Sequence, residues 1–446
     1  MQPSIEEDIA IIGAGMAGLH MALSLKDRGY KNVTIYEAAD RVGGKCYTKI
    51  VEGCAIDFGA GIIPGESSVV ALCERFNIEL IPTELYGNYV SSGAVRKAGL
   101  KLTMALKFLD KIQMGKLRKL IDKFNVPDPL LDVNDKRWQE LSLPLSLVLQ
   151  REGLNLAAGF CNRILYTYGY GTADEIPAYY GFEFFRLWLD AFIGQKLYVA
   201  KRGYQALPLA MAEKGGLNIK LSKKVSDIQH NGNKVSCRFT DGSVVETDFL
   251  INSMPHGVLN RASPFAGINE FDYEVGLIEK QTSAFISEHL TESRPGHVNF
   301  LVSQPQAREE SSKIKRKTKG KIKSSDRKNR ELTSYYCAPN FTIKDHHLSA
   351  DESAQLINRS LNNYYDLKQF RILDRMRWSY FPQLSPEAIA AGELAQIFCQ
   401  QGEDRVWNIG SACSFETVVN VIDYNQKILN KFNLPSNDAL APALTA

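Results

Sequence analysis

Nowhere in the 446-residue chain is there a run of the eighteen or more apolar residues that a membrane-spanning helix needs. The start, "MQPSIEED", lacks the basic and apolar regions of a secretory leader, so the reading is a soluble, cytoplasmic protein. Eight cysteines are scattered without a C-x-x-C pair or a metal spacing, which argues against a disulfide framework and for buried or free thiols. Seven histidines form no metal constellation. His346 and His347 are adjacent and lack the i, i+4 spacing that puts two imidazoles on one helix face. Gly-x-Ser-x-Gly is absent, which removes the nucleophile elbow and makes a hydrolase the poor alternative.

What the chain does have is glycine at the right places near its start. Asp8–Ile12 reads as a short buried strand running straight into "GAGMAG". In such a turn Gly13 permits the strand-to-helix reversal, Gly15 lets a pyrophosphate approach the backbone, and Gly18 lets the helix lie against the strand. The following helix, about Met16 to Arg28, points its amides and dipole at the phosphates. A second strand, Asn32 to Tyr36, delivers Glu37 nineteen residues beyond Gly18, where a carboxylate can accept from ribose hydroxyls. Strand, turn, helix, strand and acid thus complete a dinucleotide-binding unit that does not by itself distinguish NAD from FAD.

The next residues separate the two. "EAADRVGGK", Glu37 to Lys45, resembles the E-x-x-x-R-x-G-G-[KR] extension of the flavin amine oxidase and phytoene desaturase superfamily. The resemblance implies that Arg41, Gly43, Gly44 and Lys45 line the pyrophosphate and flavin end of FAD. Physical chemistry agrees, because two cations suit a pyrophosphate and paired glycines let backbone lie against an extended cofactor. "IDFGAGI" sits where the family places backbone beside the isoalloxazine, which implies Gly59, Ala60, Gly61 and Ile62. Arg202 to Ile228 looks like the family's re-entry into the cofactor domain, with a helix opened near Pro208 and a strand around Val225 whose backbone meets the adenine. A turn at Asp241-Gly242, a hairpin strand and the strand Phe249 to Ser253 follow, ending at Pro255.

Near residue 410 the resemblance continues with departures. "RVWNIGSACSFETVVNVIDYNQKIL" has a strand, a Gly410 turn and a helix, like the segment that closes the flavin site, and it implies Gly410, Ser411, Thr417 and Val418 as cofactor contacts. Thr417 stands where monoamine oxidases carry a cage aromatic, leaving Phe415 as the nearby ring. Met376, Arg377 and Trp378 occupy the neighbourhood of the family's covalent attachment cysteine, so the flavin is expected to be non-covalent. Trp378, Tyr380 and Phe381 form either a substrate-pocket wall or core. Tyr166, Tyr168 and Tyr170 alternate as one face of an extended segment would, again as pocket wall or core. Lys280 stands loosely where many relatives hold a water near flavin N5, and a surface lysine is the competing reading. Cys46 either touches the cofactor or is a packed thiol.

The expected architecture is α/β: a Rossmann-like FAD-binding domain assembled from 1–85, 200–260 and 395–435, and a mixed α+β substrate-binding domain from 86–199 and 261–394. A basic flexible insertion, 305–331, interrupts the second domain; its Lys313 to Arg330 stretch holds ten Lys or Arg against one Asp. Such a run reads as a solvated loop between strands at about His297–Ser303 and Glu331–Ala338, and it could meet an anionic partner. Leu100 to Phe124 has apolar residues at helical intervals with lysines between them, as a substrate-domain helix would. The expected function is amine-oxidase-like oxidation of a C–N bond of an amine or amino-acid-derived small molecule by hydride transfer to flavin N5, with oxygen or another acceptor. Candidate catalytic residues are Lys280, Tyr168 and Tyr380. A desaturase or dehydrogenase of a secondary metabolite, and a non-enzymatic FAD-containing effector, remain open beside it.

Overall fold

The computed structural model describes residues 3–83, 88–90, 100–124, 132–192, 196–254, 268–281, 287–290, 298–303, 330–337, 349–362 and 370–432. The readings of Pro255, His346-His347, the basic stretch up to residue 329 and the side chain of Lys280 lie outside the described residues.

Five strands form one parallel sheet in the order 406–408, 249–252, 8–12, 32–36, 218–220. Strict alternation along its central strands explains why both faces are covered. Ile9, Ile11, Phe249 and Ile251 face the helices, whereas Ala10, Ile12 and Leu250 face a second layer of antiparallel strands, Val225–Asn231, Lys234–Phe239 and Val244–Thr247. Helix Met16–Asp27 is the crossover between the first two strands and is buried nearly all round, which its apolar sequence permits. Helix Val418–Asn430 packs beside it, with Asn425 Nδ2 donating to Ala17 O at 2.8 Å and Arg28 donating to Leu429 O at 2.6 Å.

A second sheet of six strands runs in the order 370–384, 268–281, 330–337, 298–303, 287–290, 88–90. The strands Val298–Ser303 and Arg330–Cys337 that border the basic stretch pair antiparallel. Tyr273 and Val275 lie on one face of this sheet with Tyr336, Trp378 and Tyr380. Helices Leu100–Phe124, Asn155–Thr167 and Ala178–Phe192 pack together beside it, with Met114, Leu117, Leu120, Ile121 and Phe124 burying one stripe of the first.

One sequence expectation is overturned. The three tyrosines do not lie on an extended segment: Tyr166 belongs to helix Asn155–Thr167, Tyr168 is its C-cap, and Tyr170 lies beyond the left-handed Gly169. The apolar helical period of residues 155–167 outweighs the two-residue spacing of the tyrosines, and Gly169 and Gly171, both with positive φ, turn the chain instead of extending it. Among the described residues no helix is long and apolar enough to cross a membrane, and no group of His, Cys, Asp and Glu has the arrangement of a metal site.

Candidate flavin site

The C-terminal ends of the parallel strands carry the candidate residues, as ligand sites in open α/β sheets do. Gly18 is pressed so closely on the turn that a Cβ there would stand 2.0 Å from Gly13 O. Gly15 starts the helix in an extended conformation, no side chain caps it, and no acid occupies the first turn. Its outer side faces Gly44, and a Cβ on Gly15 would find only the Gly44 Cα within 4 Å. Gly43 donates its N–H to Ala14 O at 2.8 Å, which seats the second glycine segment across the first. The result is a backbone cradle without side chains beside an uncapped helix start, which fits a pyrophosphate.

Glu37 ends the second strand. Its carboxylate accepts from Ala14 N at 2.6 Å and Ala39 N at 2.8 Å, which fixes its position and leaves lone pairs for a further donor. Lys223 N donates to Glu37 O at 2.7 Å, so the segment leading to Val225 runs directly beside this acid. Val225 itself is buried against the sheet.

The cations are committed within the protein. Arg41 lies over the Tyr47 ring, 4.1 Å from its centroid, and donates to Gly44 O at 3.1 Å. Lys45 is ion-paired with Glu416, a residue the sequence reading did not single out. Its signal was a lone acid in the apolar link "ACSFETVV". The Glu416 side chain is 4% exposed, and its second oxygen accepts from Phe381 N at 3.2 Å.

The 59–62 segment is fastened to the same region. A Cβ on Gly59 would stand 1.8 Å from Lys45 O, and Ala60 donates to that oxygen at 3.1 Å; Gly61 lies against Asp57, and Ile62 leads into the strand Ile63–Pro64. Asp57, also missed, accepts from Thr48 Oγ1 at 2.6 Å and Tyr204 N at 2.9 Å. Burial pushes its carboxyl up to about 6, the two hydrogen bonds opposing that rise. The Asp of "IDFG" was its only sequence signal. Cys46 is buried, and burial pushes its thiol well up, which fits a packed and unreactive sulfur.

At the C-terminal end of the edge strand Val406–Asn408, Gly410 turns beside Ser253 and Ala17, with Ser411 next in the loop. Thr417 is the N-cap of the helix that begins at Val418, accepting from Asn420 N at 3.2 Å, so its hydroxyl serves the helix and not a pocket wall. Phe415 is buried in an aromatic cluster. It lies 5.2 Å from Tyr170 and 5.3 Å from Phe381, ring centre to ring centre, and Tyr170 lies 5.5 Å from Tyr380. Tyr380 stacks on Tyr273 at 4.7 Å and donates its hydroxyl to Tyr168 O at 3.3 Å. Burial pushes the Tyr380 hydroxyl well above its ordinary range, so it stays protonated. Trp378 donates to Phe58 O, tying the strand Phe370–Leu384 to the 58–61 segment.

Residues 16–284 match the family model "Flavin containing amine oxidoreductase". Polyamine oxidase 4 of Oryza sativa subsp. japonica is 28% identical over 300 residues, covering 61% of this chain and 56% of the relative. A CLA-producing fatty acid isomerase from P. acnes superposes with a TM-score of 0.78 at 20% identity, over 97% of this chain and 100% of that one. Putrescine oxidase bound to putrescine gives 0.66 at 16% identity, over 96% and 99%. At those identities the two structures speak for the fold alone. The chain spans 56% of the length of the first curated relatives it matches, the rice and Arabidopsis thaliana polyamine oxidases. The match over more than half its length places this chain in the flavin-containing amine oxidoreductase family. Its cofactor is accordingly FAD, and its fold is the Rossmann-like FAD domain joined to a substrate domain.

Proposed function

We propose that this chain is an FAD-dependent oxidoreductase of amine oxidase type that oxidises a C–N bond of an amine or amino-acid-derived small molecule. The observation that carries the reading is the meeting of the glycine cradle and the buried aromatic wall at Lys45 and Glu416. Bound flavin supplies a hydride acceptor at N5. In this reading Gly13, Gly15, Gly18 and Gly44 admit the pyrophosphate to the backbone, Glu37 receives the ribose hydroxyls, and Arg41 and Lys45 supply positive charge. Gly43, Gly59, Ala60, Gly61 and Ile62 line the flavin end without a covalent bond, Val225 lies at the adenine, and Gly410, Ser411, Thr417 and Val418 close the site. The rings of Tyr170, Tyr380, Phe381 and Phe415 exclude water and orient the substrate. Tyr380 acts as a protonated donor and wall residue, held by Tyr168 O, and Lys280 is retained as the candidate water-holding residue. The domain limits 1–85, 200–260 and 395–435 against 86–199 and 261–394 belong to the same proposal.

The test is the flavin released on denaturation, followed by anaerobic bleaching of the bound flavin with primary, secondary and polyamine substrates. Bleaching by an amine supports the reading. Released FAD with bleaching only by a non-amine substrate would replace it with a desaturase or dehydrogenase, a reading favoured by Thr417 serving as a helix cap at the position where monoamine oxidases carry a cage aromatic. A partner-binding role for Lys313 to Arg330 rests on its charge alone, and deleting it should abolish binding to anionic vesicles or nucleic acid without altering flavin reduction. All eight cysteines are unbridged, which supports a reducing, cytoplasmic location.

A further inference from the structure

Phe381 is the one residue of strand Phe370–Leu384 with positive φ, at +50°. It precedes Pro382, and its ring is 1% exposed, set among Tyr170, Tyr180 and Phe415. A bulky residue in the left-handed region is strained and persists only where its surroundings hold it. Its consequence is geometric: Tyr380 and Phe381 are successive residues, yet both rings join the same aromatic cluster, which strict strand alternation forbids. What holds the turn is visible. The opposing strand slips register between Asn269 and Phe271, and the Phe381 N–H is donated to Glu416. Glu416 gives its other oxygen to Lys45, the residue directly following Gly43-Gly44.

We propose that Glu416 is a positioning residue of the flavin site: it balances the Lys45 charge presented to the flavin and, through the same carboxylate, fixes the backbone of the wall residue Phe381. The inference rests on the site reading above, because only a flavin at the cradle senses this pair. A carboxylate and an ammonium removed from most of the surrounding water interact strongly, and charge beside a flavin tunes its electron affinity. Removing the acid leaves an uncompensated cation, which favours the electron-rich reduced flavin. Removing the lysine does the reverse.

The experiment compares wild type, E416Q and K45M, each loaded with FAD, by equilibration with a redox dye of known potential under anaerobic conditions. Thermal unfolding of the apo and loaded forms is recorded alongside. E416Q is expected to shift the reduced-to-oxidised ratio about tenfold upward at fixed dye potential, and K45M to shift it downward. With any amine that bleaches the flavin, E416Q should also raise KM, since the carboxylate that fixes the backbone of Phe381 has been replaced by a weaker acceptor. Should E416Q and K45M both lower the melting temperature while leaving the dye equilibrium unchanged, the pair is structural only and the proposal fails. A wild-type protein that takes up no FAD would overturn the site reading together with this inference, whereas uptake with unshifted equilibria overturns this inference alone.

Discussion

The two halves of the candidate site are built on opposite principles. On the nucleotide side the working surface is backbone, bared by glycine and aimed by strand ends and a helix start. On the side proposed to face the substrate it is a cluster of interlocked aromatic rings with one buried carboxylate threaded through it. A backbone site tolerates almost no added atom but needs few particular side chains. A ring cluster tolerates conservative exchange but loses its shape when any ring is removed. Mutations should therefore separate the halves by what they damage first.

The largest effect is expected from Phe415→Ala, which empties a fully buried ring site and should cost about 4 kcal/mol of stability, read by chemical denaturation, while FAD uptake at low temperature stays close to wild type. Equal loss of uptake would show that the halves are not separable. Gly18→Ala should follow, because its Cβ would meet a carbonyl at 2.0 Å. A loss of about 3 kcal/mol is expected together with most of the bound flavin, the released FAD per chain being the measurement. The third effect concerns His20, buried in the cofactor helix, whose pKa burial lowers from 6.5 to about 4. Its folded pKa lies below the unfolded one, so the stabilisation is complete above pH 6.5 and is lost as pH falls towards 4. The expected total is about 3 kcal/mol at most, seen as a difference in pH-dependence between wild type and His20→Gln in thermal unfolding. The smallest is Glu37→Gln, which keeps the shape and weakens one acceptor; FAD affinity should fall about tenfold, with stability of the apo protein little changed.

The same contrast explains what could be read from the chain. The glycines, Glu37 and the strands around them were legible because a nucleotide site made of backbone imposes fixed spacings within one short stretch. Glu416 and Asp57 were not, since each acts through partners distant in sequence: Lys45 and Phe381 for the first, Tyr204 for the second. The tyrosines at 166, 168 and 170 misled because a two-residue spacing at a helix end mimics a strand once Gly169 has turned the chain. Thr417 and Phe415 show the same limit: both are buried, and only packing reveals that the first caps a helix while the second joins the ring cluster.

Helix Met16–Asp27 is made well before the residue that completes its buried flank, because Asn425 lies 408 residues further along the chain from Ala17. A ribosome adding several residues each second needs tens of seconds to bridge that interval. Until then the nascent cradle exposes the face that Val418–Asn430 will cover, a surface available to chaperones. Flavin retention thus becomes a timer of translation: arrested chains ending before residue 418 should elute without cofactor, and chains extended past 430 should keep it.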